Sequence, residues 1–202
     1  FDMAGDPLSL ASERAMMCLF LRGDLATGDA EAMKVDTKEG SLTLVTPRTA
    51  GGFAERGTIR AGALTVEIRE TPATVWASAV DGKPLVDSSR ILLTHLTDVQ
   101  NTGIRYADEP LKVLREWGGL PHLMRRGRAE IRLETKGTKV YALRSDGERC
   151  GEIPVRRDGA CLVFTAETGR ASGTATYLYE IAVEAGANEK GPDAQSPRCP
   201  AT

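Results

Sequence analysis

The 202 residues include 26 basic and 28 acidic side chains, a formal charge of −2, so the charge balance gives no reason to expect nucleic acid or an anionic membrane as partner. Hydrophobic residues are 41% and charged residues 27%, the composition of a globular chain long enough to bury one large core or two small ones. No apolar run approaches the ~20 residues of a membrane-spanning helix.

Residues 1–30 differ from the rest. Asp6-Pro7 followed by LSLASERAMMCLFLRG reads as a helix start and an apolar helix, with Ser9 or Ser12 as cap. Ala11, Ala15, Met16, Cys18 and Leu19 recur at helical spacing. Met16 to Leu21 is apolar nearly all round, which suits a helix buried against something large. Gly23-Asp24 stops it, and residues 28–34 read as a connector. The sequence opens on Phe1 without a signal peptide, so the expectation is a processed chain or, preferably, a piece of a longer one.

From about Gly40 the pattern is β. Ser41 to Pro47 is a short strand, and residues 49–57, rich in Gly, read as a loop. Ala63 to Glu70 alternates, with Leu64, Val66 and Ile68 on one face. Thr74 to Val80 is the next strand, and Asp81-Gly82 is a hairpin turn signal. Arg90 to Val99 is the longest apolar-rich segment free of Gly and Pro. Ile91, Leu93, His95, Thr97 and Val99 share one face; Leu92, Thr94, Leu96 and Asp98 share the other. Neither face is plainly polar, so this is a central strand covered on both sides. Asn101-Thr102-Gly103 reads as a turn, and residues 111–117 are too short to assign.

The last third reads as a meander of antiparallel hairpins. Arg128 to Thr135 alternates sharply, followed by Lys139 to Arg144, Glu152 to Arg156, Ala160 to Ala166 and Thr174 to Val183. Asp146-Gly147 and Asp158-Gly159 supply the turns. Many short strands at this spacing argue a mainly β fold: an antiparallel sandwich over residues 36–184, preceded by the N-terminal helix. Residues 185–202 lack periodicity and read as a disordered tail.

Chemistry-bearing motifs are sparse. His95 lies mid-strand among apolar neighbours and His122 follows Pro121 in a predicted loop, not at metal-ligand spacing, so no metal site and no cofactor are expected. Cys18, Cys150, Cys161 and Cys199 form no CxxC pair. Cys150 and Cys161 flank a predicted hairpin turn, which leaves open a disulfide or two buried free thiols, the commoner state. Ser88 and Ser89 have no base at a telling spacing, and no catalytic residue is assigned. Asp98, Asp108, Glu109 and Glu116 cluster in sequence, but a glycosidase needs two carboxyls a few ångströms apart across a cleft. Solvated loop acids are the simpler reading. Trp76 and Trp117 are the candidate carbohydrate contacts, since an exposed indole packs against a sugar face. Trp76 alternates with Thr74 and Ser78 and so faces outward; Tyr177, Tyr179, Ile181 and Val183 share a face that reads as core. Arg125-Arg126-Gly127-Arg128 reads as a solvated corner.

The runs LFLRGDL, VDTKEGSLTLVTPRT and SSRILLTHLTDVQNTGIRY, then Gly-Leu-Pro-His-Leu and a final TATYLYEI, occur in that order across residues 15–181. This arrangement resembles the C-terminal β-sandwich region behind the (β/α)8 catalytic barrel of some bacterial glycoside hydrolases, in the clan that includes β-galactosidases and cellulases. The resemblance implies that residues 1–30 end the barrel and that the sandwich is a non-catalytic accessory region. It implies a barrel of the same polypeptide as partner, polysaccharide as a further partner, and a secreted or periplasmic location. The family's two catalytic glutamates sit on barrel strands, and a barrel takes ~250 residues, so none is carried over to this chain. Two other readings stay open: a stand-alone carbohydrate-binding module using Trp76 or Trp117, and a small enzyme using the loop carboxylates.

Overall fold

The computed structural model describes residues 33–36, 40–107, 113–169 and 175–184. The expected helix and connector at 1–30 and the expected tail at 185–202 lie outside these residues.

The described chain is mainly β and antiparallel, in a two-sheeted, sandwich-like arrangement. The strands are β1 Met33–Asp36, β2 Ser41–Val45, β3 Thr49–Ala54, β4 Gly57–Ala61, β5 Leu64–Ile68, β6 Ala73–Ala79, β7 Arg90–Leu96, β8 Val99–Thr102 and β9 Arg105–Tyr106. Then follow β10 Leu114–Glu116, β11 Gly119–Met124, β12 Arg128–Glu134, β13 Lys139–Leu143, β14 Arg149–Ile153, β15 Val155–Asp158, β16 Cys161–Glu167 and β17 Leu178–Ala182. One sheet has eight strands in the order β1-β2-β3-β6-β7-β17-β13-β14; the other has five, β15-β16-β12-β5-β4. Two small ribbons, β11-β8 and β10-β9, form an arm between β7 and β12.

Alternation builds the core. Ile91, Leu93 and His95 of β7 meet Val75, Ala77 and Ala79 of β6, and Ile91 and Leu93 also meet Ile181 and Tyr179 of β17, all by register. Opposite them the second sheet presents Leu64, Val66, Ile131, Leu133, Leu162 and Phe164, all buried. Phe164 and Tyr179 meet across the sheets with ring centroids 6.2 Å apart. The Tyr179 hydroxyl donates to Glu167 O at 2.8 Å and accepts from Glu167 N at 2.9 Å, so its polar tip is satisfied inside the core.

Several expectations need correction. Residues 49–54 are a strand, not a loop: Gly51 and Gly52 sit in the ladder because a side chain there would collide. A Cβ on Gly51 would lie 2.2 Å from Val75 O and 2.5 Å from Trp76 Cε3, so the glycine makes room for the β6 backbone and the indole beside it. The stretch 90–99 is not one strand; β7 ends at Leu96 and β8 starts at Val99 in another ribbon, with Asn101 and Thr102 inside it and Gly103 turning at φ 75°. His122 lies in β11, not in a loop. Glu152 to Arg156 is split at Pro154, where the chain leaves β14 in the large sheet and enters β15 in the small one. Pro154 has no N–H for a ladder, so it suits the crossing. Asp81-Gly82 is no tight turn; a loop over residues 80–89 joins the paired strands β6 and β7. Of the face read as core, Tyr179 and Ile181 are buried, Tyr177 is half-buried and Val183 is exposed.

Candidate functional site

The two outer faces of the sandwich differ in chemistry. The five-stranded sheet turns Arg69, Glu67, Arg128, Glu130, Arg132, Arg156 and Asp158 outward, tied by ion pairs such as Arg69–Glu67 at 2.6 Å and Arg69–Glu130 at 3.2 Å. The eight-stranded sheet turns out apolar rows instead. Register places Met33, Leu44, Gly51, Trp76, Thr94 and Leu178 along one row. Val35, Leu42, Phe53, Thr74 and Leu96 lie along the next. Trp76 is half-buried in the first row, facing outward as its alternation with Thr74 and Ser78 predicts. The Thr94 hydroxyl in that row is buried without a hydrogen-bond partner.

Toward β13 the face opens into a groove of about 350 Å³ with Val80, Leu92, Leu143 and Leu178 as apolar walls. Its polar end is a charge cluster. The Glu180 side chain, 7% exposed, accepts from Arg90 Nε at 2.5 Å and from Arg149 Nε at 2.6 Å. Arg149 also binds Glu184 at 2.9 Å and lies 3.9 Å above the Tyr141 ring, a cation–π contact. Tyr141 donates to Glu184 at 2.9 Å. Burial alone would raise the Glu180 carboxyl, but the hydrogen bonds from Arg149 and Arg90 outweigh it and hold the group below its ordinary value. Burial, followed by the Glu184 contact, pushes the Tyr141 phenol up to about 12. The result is an ionised, fully committed carboxylate beside an apolar groove. Sequence reasoning missed this cluster: Arg90 and Glu180 are 90 residues apart, and only the β7–β17–β13–β14 pairing brings them together.

Trp117 occupies a different place. It lies in the arm and is 75% exposed, with Leu120 at 78% and Val99, Val113 and Leu123 each at 53%. Polar bonds fasten the arm beneath them. Asn101 Nδ2 donates to Trp117 O at 2.8 Å, Asn101 Oδ1 meets His122 Nδ1 at 2.7 Å, and Thr102 Oγ1 donates to Pro121 O at 2.7 Å. The two tryptophans therefore belong to separate surfaces, one to a sheet face and one to the arm.

The remaining candidates have structural partners. Asp98 pairs with Arg125 at 3.0 Å and Glu116 with Arg105 at 3.2 Å; Asp108 and Glu109 lie outside the described residues. Ser88 and Ser89 both donate to Asp81 at 2.8 Å, organising the β6–β7 loop. The backbone N–H of Ser89 is the largest of several donors that hold the Asp81 carboxyl well below the usual carboxylate range. His95 is fully buried with neither ring nitrogen hydrogen-bonded, and burial pushes it down to about 4. Cys150 and Cys161 are each half-buried, and no disulfide joins them. In the basic run, Arg125, Arg126 and Arg128 are exposed, while Gly127 is buried and its N–H donates to Thr168 Oγ1 at 2.8 Å. Among the described residues no three His, Cys, Asp or Glu side chains gather as a metal-binding group.

Fold and surface together define a mainly β, sandwich-like protein with one charged outer face and one that is apolar over β1, β2, β3 and β6 and carries a charge cluster over β7, β17, β13 and β14. No protein-family model, no curated protein and no solved structure matches the chain.

Proposed function

We propose that the chain is a non-catalytic accessory region of a glycoside hydrolase, packing on and stabilising a (β/α)8 barrel that lies outside these residues. The glycosidic context comes from the ordered runs across residues 15–181. The observation that carries the docking role is the unequal chemistry of the two outer faces. A sheet face meant for water has charged, alternating residues, as β5 and β12 do. The half of the large sheet built from β7, β17 and β13 instead offers Leu92 and Leu178, which line the groove, and Leu96, 39% exposed at the end of β7, with Arg90, Glu180 and Lys139 on the same face tied in ion pairs. Complete burial of a leucine side chain contributes roughly 1.5–3 kcal/mol. The three leucines are already partly covered, so docking would add on the order of 3 kcal/mol in sum. Glu180, neutralised by Arg90 and Arg149, lets the polar end of the groove enter an interface without an unpaired buried charge.

The polypeptide encoded by the whole reading frame containing these residues tests this. The expected result is a barrel with two strand-end glutamates whose melting temperature falls when Leu92 and Leu178 are replaced by Asp. The isolated chain should turn over no aryl glycoside. A frame without a barrel, or turnover by the isolated chain lost in Asp98→Asn or Glu116→Gln, would overturn the reading.

A carbohydrate-binding module is the second reading, favoured by the exposure of Trp117 on its polar-fastened arm. Retardation of the chain in polysaccharide-containing gels, abolished by Trp117→Ala, would support it.

A further inference from the structure

We propose that the two crossings at the root of the arm, residues 97–98 and 125–127, form a pH-sensitive latch, and that His95 beneath them is the group that opens it. The inference concerns the arm alone and stands apart from the docking of the large sheet.

The arm leaves the sandwich between β7 and β8 and returns between β11 and β12. Its two crossings are bonded to each other. Arg125 N donates to Asp98 O at 2.8 Å, and Thr97 Oγ1 donates to Arg125 O at 2.6 Å. The Arg125 and Asp98 side chains pair at 3.0 Å. Thr168 ties the return crossing to the end of β16. Its hydroxyl accepts from Gly127 N at 2.8 Å and donates to Arg125 O at 3.0 Å, and its own N–H donates to Gly127 O at 3.0 Å. Thr71 Oγ1 donates to Arg126 O at 2.8 Å. Asp98, Arg125 and Arg126 are exposed and Thr97 is half-buried, so the latch consists of surface hydrogen bonds with little apolar burial. Segments of that kind open locally at a fraction of the cost of unfolding.

His95 lies directly under this latch. A Cβ on Gly127 would fall 2.7 Å from Thr97 Cγ2 and 3.5 Å from His95 Nε2, so the glycine brings the return crossing down onto the ring. The imidazole is fully buried and neither nitrogen has a hydrogen-bond partner. Lifting the crossing at Gly127 uncovers Nε2 while both sheets stay paired. The surroundings of the ring hold no competing buried charge. β6 places Val75 opposite it, and β17 supplies the Tyr177 carbonyl, which accepts from His95 N at 2.8 Å, and the Tyr179 phenol, already bonded to Glu167 O. The root contributes Asp98, Arg125 and Arg126. The adjoining ends of β12, β16 and β5 contribute Arg128, paired with Glu167 at 3.2 Å, and Arg69 and Glu70. All of these charged side chains reach water; the imidazole does not.

The direction of the pH effect follows. Burial pushes His95 from 6.5 down to about 4 while the latch is closed, and solvation in the opened root restores the ordinary value. Opening is therefore favoured as the pH falls through 6.5, and the gain levels off below about 4. From pH 7.5 to pH 5 the opened population rises about thirtyfold. The arm, with Trp117 and Leu120 on its surface, is held to the sandwich at neutral pH and swings more freely in acid.

Native-state hydrogen exchange on the full chain tests this. The amides of Arg125, Gly127 and Thr168 report the root, and those of Ile131 and Leu133 report the core. Exchange is measured at pH 7.5 and pH 5, with and without low urea, and corrected for the intrinsic rate. The root amides should exchange through an opening that depends little on urea and is about thirtyfold more frequent at pH 5. His95→Leu should abolish that pH dependence; the charged groups named above are common to both proteins. Root amides that share the urea slope of Ile131 and Leu133 would overturn the proposal, because His95 would then gain its proton only on global unfolding. An unchanged pH dependence in His95→Leu would overturn it as well. If His95→Leu does not fold, Thr97→Val decides. It removes one latch bond and keeps the methyl group beside Gly127, so root exchange should rise several-fold at both pH values with core exchange unchanged. Equal root exchange in Thr97→Val and the native chain would refute the latch.

Discussion

His95 makes the fold's stability depend on pH in a calculable way. The imidazole sits on the inner face of β7, opposite Val75, fully buried and with neither nitrogen hydrogen-bonded. Burial without a partner disfavours the charged ring, and the folded-state value drops from 6.5 to about 4. The unfolded chain therefore binds a proton that the folded chain refuses between those limits. Stability is complete above about pH 6.5 and falls as the pH drops toward 4, by up to ~1.4 kcal/mol per unit. From pH 7.5 to pH 5 the loss amounts to about 2 kcal/mol, and the limiting loss below pH 4 is about 3 kcal/mol. His95→Leu removes both orphan nitrogens and the titration while keeping an apolar side chain of similar volume. Urea unfolding at the two pH values measures the effect. The variant should equal or exceed the native chain at pH 7.5, and the gap should widen by about 2 kcal/mol at pH 5. Parallel pH profiles for the two proteins would refute the reasoning, because every other titrating group is common to both.

Three further outcomes follow from the same geometry. Leu93→Asp puts an unpaired carboxylate in the centre of the core between Ala77 and Tyr179; no cooperative melting transition should remain. Glu180→Ala leaves Arg90 and Arg149 facing each other without their shared acceptor, and because both arginines are partly exposed the cost in urea unfolding should be about 1–3 kcal/mol. Trp117→Ala should change unfolding free energy by no more than ~0.5 kcal/mol, since its side chain is mostly in water; a larger loss would mean that the arm packs on the sandwich.

Legibility in the sequence followed the range of the interactions. The alternation of β5 and β12 was readable because it is local: every second side chain meets the same core. For β7 the expectation of cover on both faces was wrong: only Ile91, Leu93 and His95 are buried, Leu92 and Thr94 are half-buried, and Arg90 and Leu96 are exposed. The outward aim of Trp76 followed from the same rule. The strand over residues 49–54 was hidden because Gly51 and Gly52 signal a loop, and their reasons for being there lie on the strands either side: Val75 O and the Trp76 indole for Gly51, the Leu42 carbonyl for Gly52. Pro154 concealed a sheet crossing inside what looked like one strand. The Glu180 cluster was invisible for the strongest reason. Its acid and two bases come from β17, β7 and β14, and no spacing along the chain encodes which strands pair. Exposure of Trp117 was likewise set by the arm's departure from the sheets, whose two small ribbons have no distinctive pattern of their own.

The docking of the large sheet is tested most directly by hydroxyl-radical footprinting of the isolated chain against the polypeptide of the full reading frame. The account predicts that Leu92, Leu96 and Leu178 lose reactivity several-fold in the longer protein, while Arg156 and Thr165 on the outer face of the small sheet react equally in both. Equal reactivity of the three leucines in the two proteins would contradict it.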